Sequence, residues 1–308
     1  MMKFHAEKNL GLCGLACVLC GSDDCPGCKA RGCKEGGDCS VYQCVIGKGL
    51  DGCYQCGQFP CEEKMLKGIR NRAFNQYARQ FGKKALLDRL QANCEDGIAY
   101  HQSDGSKGDY DLLSTEDEIM QLIQFGRNNP YVQCPTFETE HFIVRLIEEK
   151  DADDLLICYG DPEVRRILNT DNCPPVDYRS EMSLLIREWI GKWIGKDYAG
   201  GYFIRFSIID KQTDRAVGTM EVYDGKYGRS DRTTGILRID IAAIYEKDKY
   251  LTELFRAAND IFFDIFHAEK IVYQAFPELS ERISALSKSG FRPAKIKGRK
   301  HYWVHEKG

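Results

Sequence analysis

CGLACVLCGSDDCPGC (residues 13–28) and CYQCGQFPC (residues 53–61) are the most informative stretches of this 308-residue sequence. They bound a segment that holds eleven of the 15 cysteines in the chain. Those eleven are Cys13, Cys17, Cys20, Cys25, Cys28, Cys33, Cys39, Cys44, Cys53, Cys56 and Cys61. Pairs separated by two residues, such as Cys17 with Cys20, let two thiolates bind one ion. The spacing therefore makes all eleven candidate metal ligands.

Little in this segment besides its cysteines is expected to hold it together. Glycine and proline separate the cysteines and permit tight turns. The apolar residues are too few to predict a hydrophobic core that belongs to the segment alone. We therefore expect metal ions or covalent cross-links to stabilise it.

Three interpretations are compatible with the cysteine spacing. Zinc is bound by four cysteines, or by three cysteines and a histidine. An iron–sulfur cluster also takes four thiolates, and a disulfide framework needs no metal. Residues 1–8 are polar and predict no signal peptide, so we expect a reducing, cytoplasmic compartment in which disulfides are rare. We favour zinc, with iron–sulfur binding as the alternative, and the spacing does not assign cysteines to individual ions.

The cysteine motifs also resemble a known family. They are Cys13-Gly14-Leu15-x-Cys17-x-x-Cys20, Cys25-x-Gly27-Cys28 and Gly49-Leu50-x-x-Cys53-x-x-Cys56-x-x-Phe59-Pro60-Cys61-Glu62. In this order they resemble an uncharacterised cysteine-rich domain of bacteria and archaea, over residues 8–128. The resemblance implies a metal-binding module and no known reaction.

Composition narrows the class of protein. A hydrophobic fraction of 43% and a charged fraction of 29% are ordinary for a globular protein, and the length suggests two domains. A net charge of −3 gives no reason to expect nucleic acid or an anionic membrane as a partner. No apolar run approaches the length of a membrane-spanning helix.

Helices are predicted after the cysteines. Apolar residues at helical spacing indicate two helices within residues 62–93, broken near Gly82, and Ser114 or Thr115 begins another that ends near Gly126. Asn128-Asn129-Pro130 then marks a boundary. We expect a metal-stabilised domain over residues 1–128 and a second domain over residues 136–308.

The second domain alternates strands and helices, so the chain is predicted to be α+β. We predict strands at 141–147, 202–210, 216–224, 235–244, 270–276 and 301–305. Helices are predicted at 151–159, 161–168, 175–196, 249–266 and 279–289. This order predicts an antiparallel meander followed by a β-α-β crossover, which requires one parallel pair in a mixed sheet flanked by helices.

Several residues of the second domain resemble the GNAT superfamily of acyl-CoA N-acyltransferases. The motifs are Phe137-Glu-Thr-Glu140-His-Phe-Ile-Val-Arg145-Leu-Ile-x-x-x-Asp151-Ala-x-Asp154-Leu, Val217-Gly218-Thr219, Tyr245, Tyr250-x-Thr252-Glu253 and Leu286-x-Lys288-x-Gly290-Phe291-Arg292. They resemble the branch that acts on ribosomal-protein N-termini and related amines. The resemblance implies transfer of an acetyl group from acetyl-CoA to a small-molecule or protein amine.

The same resemblance implies where acetyl-CoA would bind. Backbone groups of Ile241 and Ala242 would contact the pantetheine arm, and Lys247, Lys249, Tyr250 and Thr252 would lie at the pyrophosphate. Family members carry Gly-x-Gly in the loop where this chain has Lys247-Asp248-Lys249. They carry Asn and Ser where it has Leu279 and Arg282. The cofactor site therefore departs from the family at two places.

Glu221, Asp240 and Tyr302 are the candidate catalytic residues. In this fold a carboxylate removes a proton from the amine and an acid protonates the leaving thiolate. Glu221 and Asp240 lie on the strands nearest the expected cleft, and Tyr302 lies on the last strand. The family's frequent acid is replaced by Ile236. For each of the three candidates, an ordinary carboxylate or tyrosine on a strand face is the favoured interpretation.

Two functions from different classes follow. One is an acetyl-CoA-dependent N-acetyltransferase with a metal-binding accessory domain. The alternative is a non-catalytic GNAT-fold scaffold or ligand sensor joined to a zinc module. A redox function of the cysteines is a third hypothesis. Saturable binding of acetyl-CoA separates the first two.

Overall fold

A computed structural model describes residues 3–22, 24–30, 38–102, 105–167, 182–201, 203–224, 234–296 and 299–308. Its internal contacts divide the chain into two compact units, Met1–Asn129 and Pro130–Gly308. The division falls in the Asn-Asn-Pro stretch. That each unit folds by itself stays a prediction.

The N-terminal unit is helical in its described part. Its α-helices are α1 (Ser40–Gly47), α2 (Ile69–Phe81), α3 (Lys83–Glu95) and α4 (Glu116–Phe125). Short 3-10 turns occur at Ala6–Lys8, Cys17–Leu19, Cys28–Ala30, Cys53–Gln55, Lys64–Leu66 and Asp109–Asp111. The helices predicted on either side of Gly82 and after Thr115 are confirmed. The α4 N-terminus has the capping box that its sequence indicates, with Glu118 N donating to Thr115 Oγ1 at 3.2 Å.

Our expectation that the cysteine-rich segment lacks a core was wrong. A buried cluster forms around Leu12, Val41, Val45, Phe59 and Leu66, and includes two cysteines, Cys13 and Cys53. Helix α1, which we did not predict, supplies Val41 and Val45 to this cluster. A second cluster joins α2, α3 and α4 through residues such as Phe74, Leu86 and Ile119. The few apolar residues suffice because a helix gathers them on one face.

The C-terminal unit contains the strands and the remaining helices. The strands are β1 (Phe137–Glu138), β2 (Phe142–Leu146), β3 (Phe203–Asp210), β4 (Arg215–Asp224), β5 (Thr234–Ile241), β6 (Lys270–Gln274), β7 (Arg292–Ile296) and β8 (Arg299–Glu306). The helices are α5 (Ala152–Gly160), α6 (Pro162–Ile167), α7 (Met182–Lys192), α8 (Asp248–Asp260) and α9 (Ser280–Lys288). Single π-helical turns follow α7 at Trp193–Tyr198 and α8 at Ile261–Ile265. 3-10 turns occur at Glu149–Asp151 and Ala243–Tyr245.

These strands form one eight-stranded sheet in the order β1-β2-β3-β4-β5-β6-β8-β7. Only β5 and β6 are parallel, and every other described pair is antiparallel. The predicted mixed sheet is therefore confirmed. Strands β1 and β7 were not predicted, and β5 ends at Ile241 rather than at residue 244. Of the predicted helix 175–196, the part before Met182 lies outside the described residues.

One face of the sheet packs against α5 and α7. Ile209 of β3 and Ala216 of β4 join a buried cluster with Leu155 of α5 and Ile186 and Ile190 of α7. None of the helices in the described part of the chain has the length and apolarity of a bilayer span.

Candidate functional site

The parallel strands β5 and β6 open into a fork at the centre of the sheet. They pair over three positions, from Thr234 opposite Lys270 to Ile236 opposite Val272. Beyond this point Tyr273 and Gln274 of β6 pair with β8 on the other side. The C-terminal half of β5 therefore has a free edge facing the fork. This is the region where the family resemblance places the pantetheine arm of the cofactor.

The side chain of Arg282 fills this fork. Arg282 Nη1 donates to the Ile239 carbonyl of β5 at 2.8 Å, and also to the hydroxyl of Tyr273 on β6. The Tyr273 hydroxyl in turn lies 3.4 Å from the same Ile239 carbonyl. Arg282 therefore bridges the two strands with side-chain hydrogen bonds where their backbones have separated.

Glu246 holds the Arg282 guanidinium in this position. Arg282 Nε lies 2.6 Å from Glu246 Oε1 and Arg282 Nη2 lies 2.5 Å from Glu246 Oε2, which is a bidentate ion pair. Arg282 is only 3% exposed and Tyr273 only 1%. Burial raises the pKa of Tyr273 to about 12, so its hydroxyl keeps its proton at neutral pH. We call Arg282, Glu246 and Tyr273 the fork triad.

Carboxylates of the chain also occupy the start of α8. The first helical amide, Asp248 N, donates to Glu281 Oε2 at 2.7 Å. The Asp248 carboxylate itself pairs with Lys288, which lowers the Asp248 pKa. The positive end of a helix dipole attracts anions. Here the anions nearest to it are two side chains of the protein.

The residues predicted to bind the pyrophosphate point to other partners. The Lys247 amide donates to the Tyr245 carbonyl at 2.7 Å, and Lys249 Nζ lies 4.3 Å from the centre of the Tyr250 ring. The Tyr250 ring packs against Tyr245 and the start of β2, with ring centres 5.3 Å apart for Tyr245. Thr252 Oγ1 donates to Asp248 Oδ1 at 3.4 Å.

Ile241 and Ala242 are held against β4. Ile241 is fully buried opposite Gly218, and Ala242 N donates to the Val217 carbonyl at 2.8 Å. A Cβ on Gly218 would lie 2.2 Å from the Asp240 carbonyl oxygen, so glycine is required where β4 and β5 approach. The Ala242 amide is therefore engaged by β4. The Ile239 carbonyl, on the fork side of β5, already bonds to the fork triad.

Glu221 and Asp240, two candidate catalytic residues, lie in one polar network across β3, β4 and β5. Glu221 forms an ion pair with Arg205, whose guanidinium lies 3.9 Å from the centre of the Trp193 ring. Asp240 is 3% exposed, and Asp240 Oδ2 lies 2.8 Å from Arg238 Nη2.

Two neutral groups complete this network. The Tyr159 hydroxyl lies 2.6 Å from Thr219 Oγ1 and 3.5 Å from Asp240 Oδ2, and burial raises the Tyr159 pKa. Tyr302, in contrast, lies on β8 with β6 between it and β5. The structure brings Glu221 and Asp240 together, each opposite an arginine, and places Tyr302 apart from both.

A cavity of about 250 Å³ lies at the end of β5. Residues of α5, the β3–β4 turn and the segment after β5 line it, among them Ile157, Cys158, Arg215, Ala242 and Ile244. Ile157 and Ile244 are 64% and 73% exposed, an unusual position for two large apolar side chains. The cavity can take a small ligand with an apolar part.

In the N-terminal unit, a first cysteine group surrounds Cys13 and Cys17. Cys13 interacts electrostatically with Cys28, Cys17 and Cys53, and Cys17 interacts with Cys28, Cys20 and Cys25. Burial raises the pKa of the Cys13 thiol to about 12. Gly27 lets the chain turn here, because its φ of +94° favours glycine. A Cβ at this position would also lie only 2.5 Å from the Lys8 carbonyl oxygen.

A second cysteine group comprises Cys44, Cys53, Cys56 and Cys61. All four line a cavity of about 360 Å³. Cys53 interacts electrostatically with the other three, and burial raises the pKa of its thiol to about 12. None of the 13 cysteines among the described residues forms a disulfide. Cys33 lies outside the described residues, and Cys39 packs at the edge of the core around Leu12.

With this geometry in place, comparison with known families identifies both parts of the chain. Residues 141–292 match the acetyltransferase (GNAT) domain family. Residues 21–66 match a family of proteins of unknown function, DUF3795. Both resemblances seen in the sequence are confirmed at this level. The C-terminal unit contains a GNAT acetyltransferase domain, and residues 21–66 of the N-terminal unit are similar to a family whose function is unknown.

Three individual proteins illustrate what the chain is similar to. A Bacillus licheniformis protein described as an uncharacterised N-acetyltransferase, p20, is 26% identical over 159 residues, which cover 51% of this chain and 82% of the relative. A GNAT-family acetyltransferase from Bacillus anthracis shares 17% identity with a TM-score of 0.43, covering 56% of this chain and 98% of that one. A ribosomal-protein-S5-alanine acetyltransferase from Vibrio fischeri shares 18% identity with a TM-score of 0.41, covering 55% and 93%.

The residues at the fork do not fit the cofactor that the family implies. Acetyl-CoA needs an open fork for its pantetheine arm and free amides for its pyrophosphate. The fork triad fills the fork, and Glu281 accepts a hydrogen bond from the Asp248 amide at the pyrophosphate position. Arg282 departs from the family pattern in the sequence, but no pattern there points to Glu246, Tyr273 or Glu281 as neighbouring residues. The only signal was an arginine where the family has a serine.

Proposed function

We propose that the C-terminal unit is a non-catalytic GNAT-fold domain that binds a ligand or partner, joined to a metal-binding N-terminal module. The observation that carries the proposal is the fork triad. It supplies hydrogen bonds and charge inside the fold at the place where acetyl-CoA would otherwise supply them. The cavity beside Ile157 and Ile244 offers the domain a binding site that does not require the fork.

The free energy needed to break the Arg282–Glu246 ion pair supports a fork that the fork triad fills permanently. Separating Arg282 from Glu246 would leave a guanidinium that is 3% exposed without its counter-charge. Leaving one partner of a buried ion pair unpaired costs about 3–5 kcal/mol. A ligand entering the fork must repay this cost before any net affinity appears, which weakens binding by roughly 100- to 5,000-fold.

N-acetylation of a small-molecule or protein amine is the second candidate function. It is favoured by the GNAT domain match and by the similarity to p20, which is described as an N-acetyltransferase. Glu221 and Asp240 would then be the groups nearest the acceptor amine. Both carboxylates are paired with arginines, Arg205 and Arg238. Proton removal by either one would require its arginine to move.

Titration of the full chain with acetyl-CoA decides between the two. We expect no saturable heat and no shift of the unfolding temperature up to millimolar acetyl-CoA. Replacing Lys247 and Lys249 with glycine restores the family's loop without opening the fork, so this double variant should bind no better. Saturable binding by the wild-type protein would contradict the proposal and establish the second candidate.

We also propose that the N-terminal unit binds metal through its cysteines. Ten of the eleven clustered cysteines are described, and nine of these, all but Cys39, fall into the groups around Cys13 and Cys53. Cysteines at such spacing that form no disulfide are typical of metal sites in a reducing compartment such as the cytoplasm. Elemental analysis of the purified full chain should find zinc or iron in stoichiometric amount. Absence of both would contradict this part of the proposal.

A further inference from the structure

The cavity of the second cysteine group is a built site. Cys44 lies on α1, Cys53 and Cys56 on one 3-10 turn, and Cys61 five residues further along. Buried Val45 and Phe59 also line the cavity of about 360 Å³, so its lining combines thiols with apolar groups. Four thiols that line one cavity match the donor set of a single metal centre.

Hydrogen bonds outside the cavity fix the turn that carries Cys53 and Cys56. Cys53 N donates to the Leu12 carbonyl at 2.8 Å, and Cys56 N donates to the Cys53 carbonyl at 3.0 Å. Arg79 of α2 donates to the carbonyls of Cys56 and, at 3.3 Å, Phe59. The positions of these thiols are therefore set by the backbone before any metal binds, which lowers the cost of forming a site.

The distances between the cysteine sulfurs distinguish a zinc site from an iron–sulfur cluster. In a tetrahedral zinc site with Zn–S bonds of about 2.3 Å, the four sulfurs lie about 3.8 Å from one another. Among the described residues, no three cysteine sulfurs lie within 4.8 Å of one another. A cubane iron–sulfur cluster places four iron and four sulfide atoms between its thiolates and so holds them farther apart. The wide group and its sizeable cavity suit the cluster.

A positive charge lies beside the group. Lys48 Nζ is 3.8 Å from Cys56 Sγ, and it also donates to Gln58 Oε1 at 3.0 Å. A cluster bound by four thiolates is negatively charged as a whole, and hydrogen bonds to its sulfurs tune its reduction potential. Lys48 is placed to neutralise part of that charge.

We propose that Cys44, Cys53, Cys56 and Cys61 bind one four-iron, four-sulfide cluster. Each thiol releases its proton to solvent as its sulfur bonds to one iron. The inference rests on the proposed metal-binding function and adds the ligand set and the kind of centre. The group around Cys13 and Cys17 is left for a separate ion.

The test is metal and sulfide analysis of the full chain purified without oxygen. We expect about four iron and four acid-labile sulfide per chain, with a broad visible absorption that bleaches on reduction. Cys56→Ser and the exposed Cys61→Ser should each lose most of the iron. The matched control Cys17→Ser, in the other group, should keep iron and sulfide. Lys48→Met should keep the iron and lower the reduction potential, because a positive charge favours the reduced cluster.

The outcomes separate this inference from the function on which it rests. Zinc without iron or sulfide would overturn the cluster and leave the metal-binding module standing. No metal at all would overturn both. Iron retained by Cys56→Ser and Cys61→Ser, but lost by Cys17→Ser, would place the cluster in the other group and overturn the ligand assignment.

Discussion

The fork triad predicts an asymmetry between two substitutions that break the same ion pair. Glu246→Gln leaves the Arg282 charge 3% exposed and without a counter-charge, so we expect it to destabilise the C-terminal unit by about 3–5 kcal/mol. Arg282→Met leaves Glu246, whose side chain is 14% exposed and can hydrate. It should cost less, about 1–3 kcal/mol, since it mainly removes hydrogen bonds to Ile239 and Tyr273.

Urea unfolding followed by tryptophan fluorescence measures this effect selectively. All three tryptophans of the chain, Trp189, Trp193 and Trp303, belong to the C-terminal unit. With a slope of about 2 kcal/mol/M, Glu246→Gln should lower the midpoint by roughly 2 M. The double variant should be hardly less stable than Arg282→Met alone, because the orphaned charge is then absent.

A nearby pair supplies the control. Lys288 and Asp248 also join α9 to the start of α8, but their side chains are 55% and 24% exposed. Lys288→Met should therefore cost less than about 1 kcal/mol. If Glu246→Gln costs no more than Lys288→Met, the guanidinium is not a buried charge and the argument for a filled fork is refuted.

Three further predictions address the two units. Residues 130–308 expressed alone should unfold in one cooperative transition, because the whole sheet lies in this range, and a molten product in near-UV circular dichroism would show a shared core. Burial opposes ionisation of Asp151, but hydrogen bonds from Arg145 and Ser207 outweigh it and lower the Asp151 pKa below 3.8. Acid should therefore destabilise the C-terminal unit below about pH 4. In urea titrations at several pH values, Asp151→Asn should reduce this loss of stability. Removing metal with a chelator should lower the temperature at which the helices of the N-terminal unit unfold, and leave unchanged the unfolding transition that tryptophan fluorescence reports for the C-terminal unit. A shift of both transitions would show that the two units unfold together.

The elements whose pattern is local were predictable. Two amphipathic helices broken at Gly82 and the capped helix after Thr115 each depend on residues within a few turns of one another. Strand β7 escaped prediction because Pro293 argues against a strand, yet the structure places it at the edge of the sheet, where proline is tolerated. Helix α1 was missed because we interpreted its one cysteine, Cys44, only as a metal ligand.

The fork triad was not predictable in the same way. Arg282 and Glu246 are 36 residues apart, and Tyr273 lies on a third element, so no local sequence pattern joins the three. An arginine in a helix is ordinarily exposed. Only the three-dimensional fork reveals that this one is buried and that its counter-charge comes from a loop. The same holds for the cysteines, whose grouping follows from the turn at Gly27 and from α1.

The Glu281 contact with the first amide of α8 has a consequence for how this fold responds to metabolites. A protein that binds a cofactor only when folded gains stability as the cofactor concentration rises, by mass action. A carboxylate attached to the chain is always present at the same effective concentration. The start of α8 is thus capped to the same extent in a starved cell and in a growing one. Folding of the domain is thereby separated from the supply of acetyl groups.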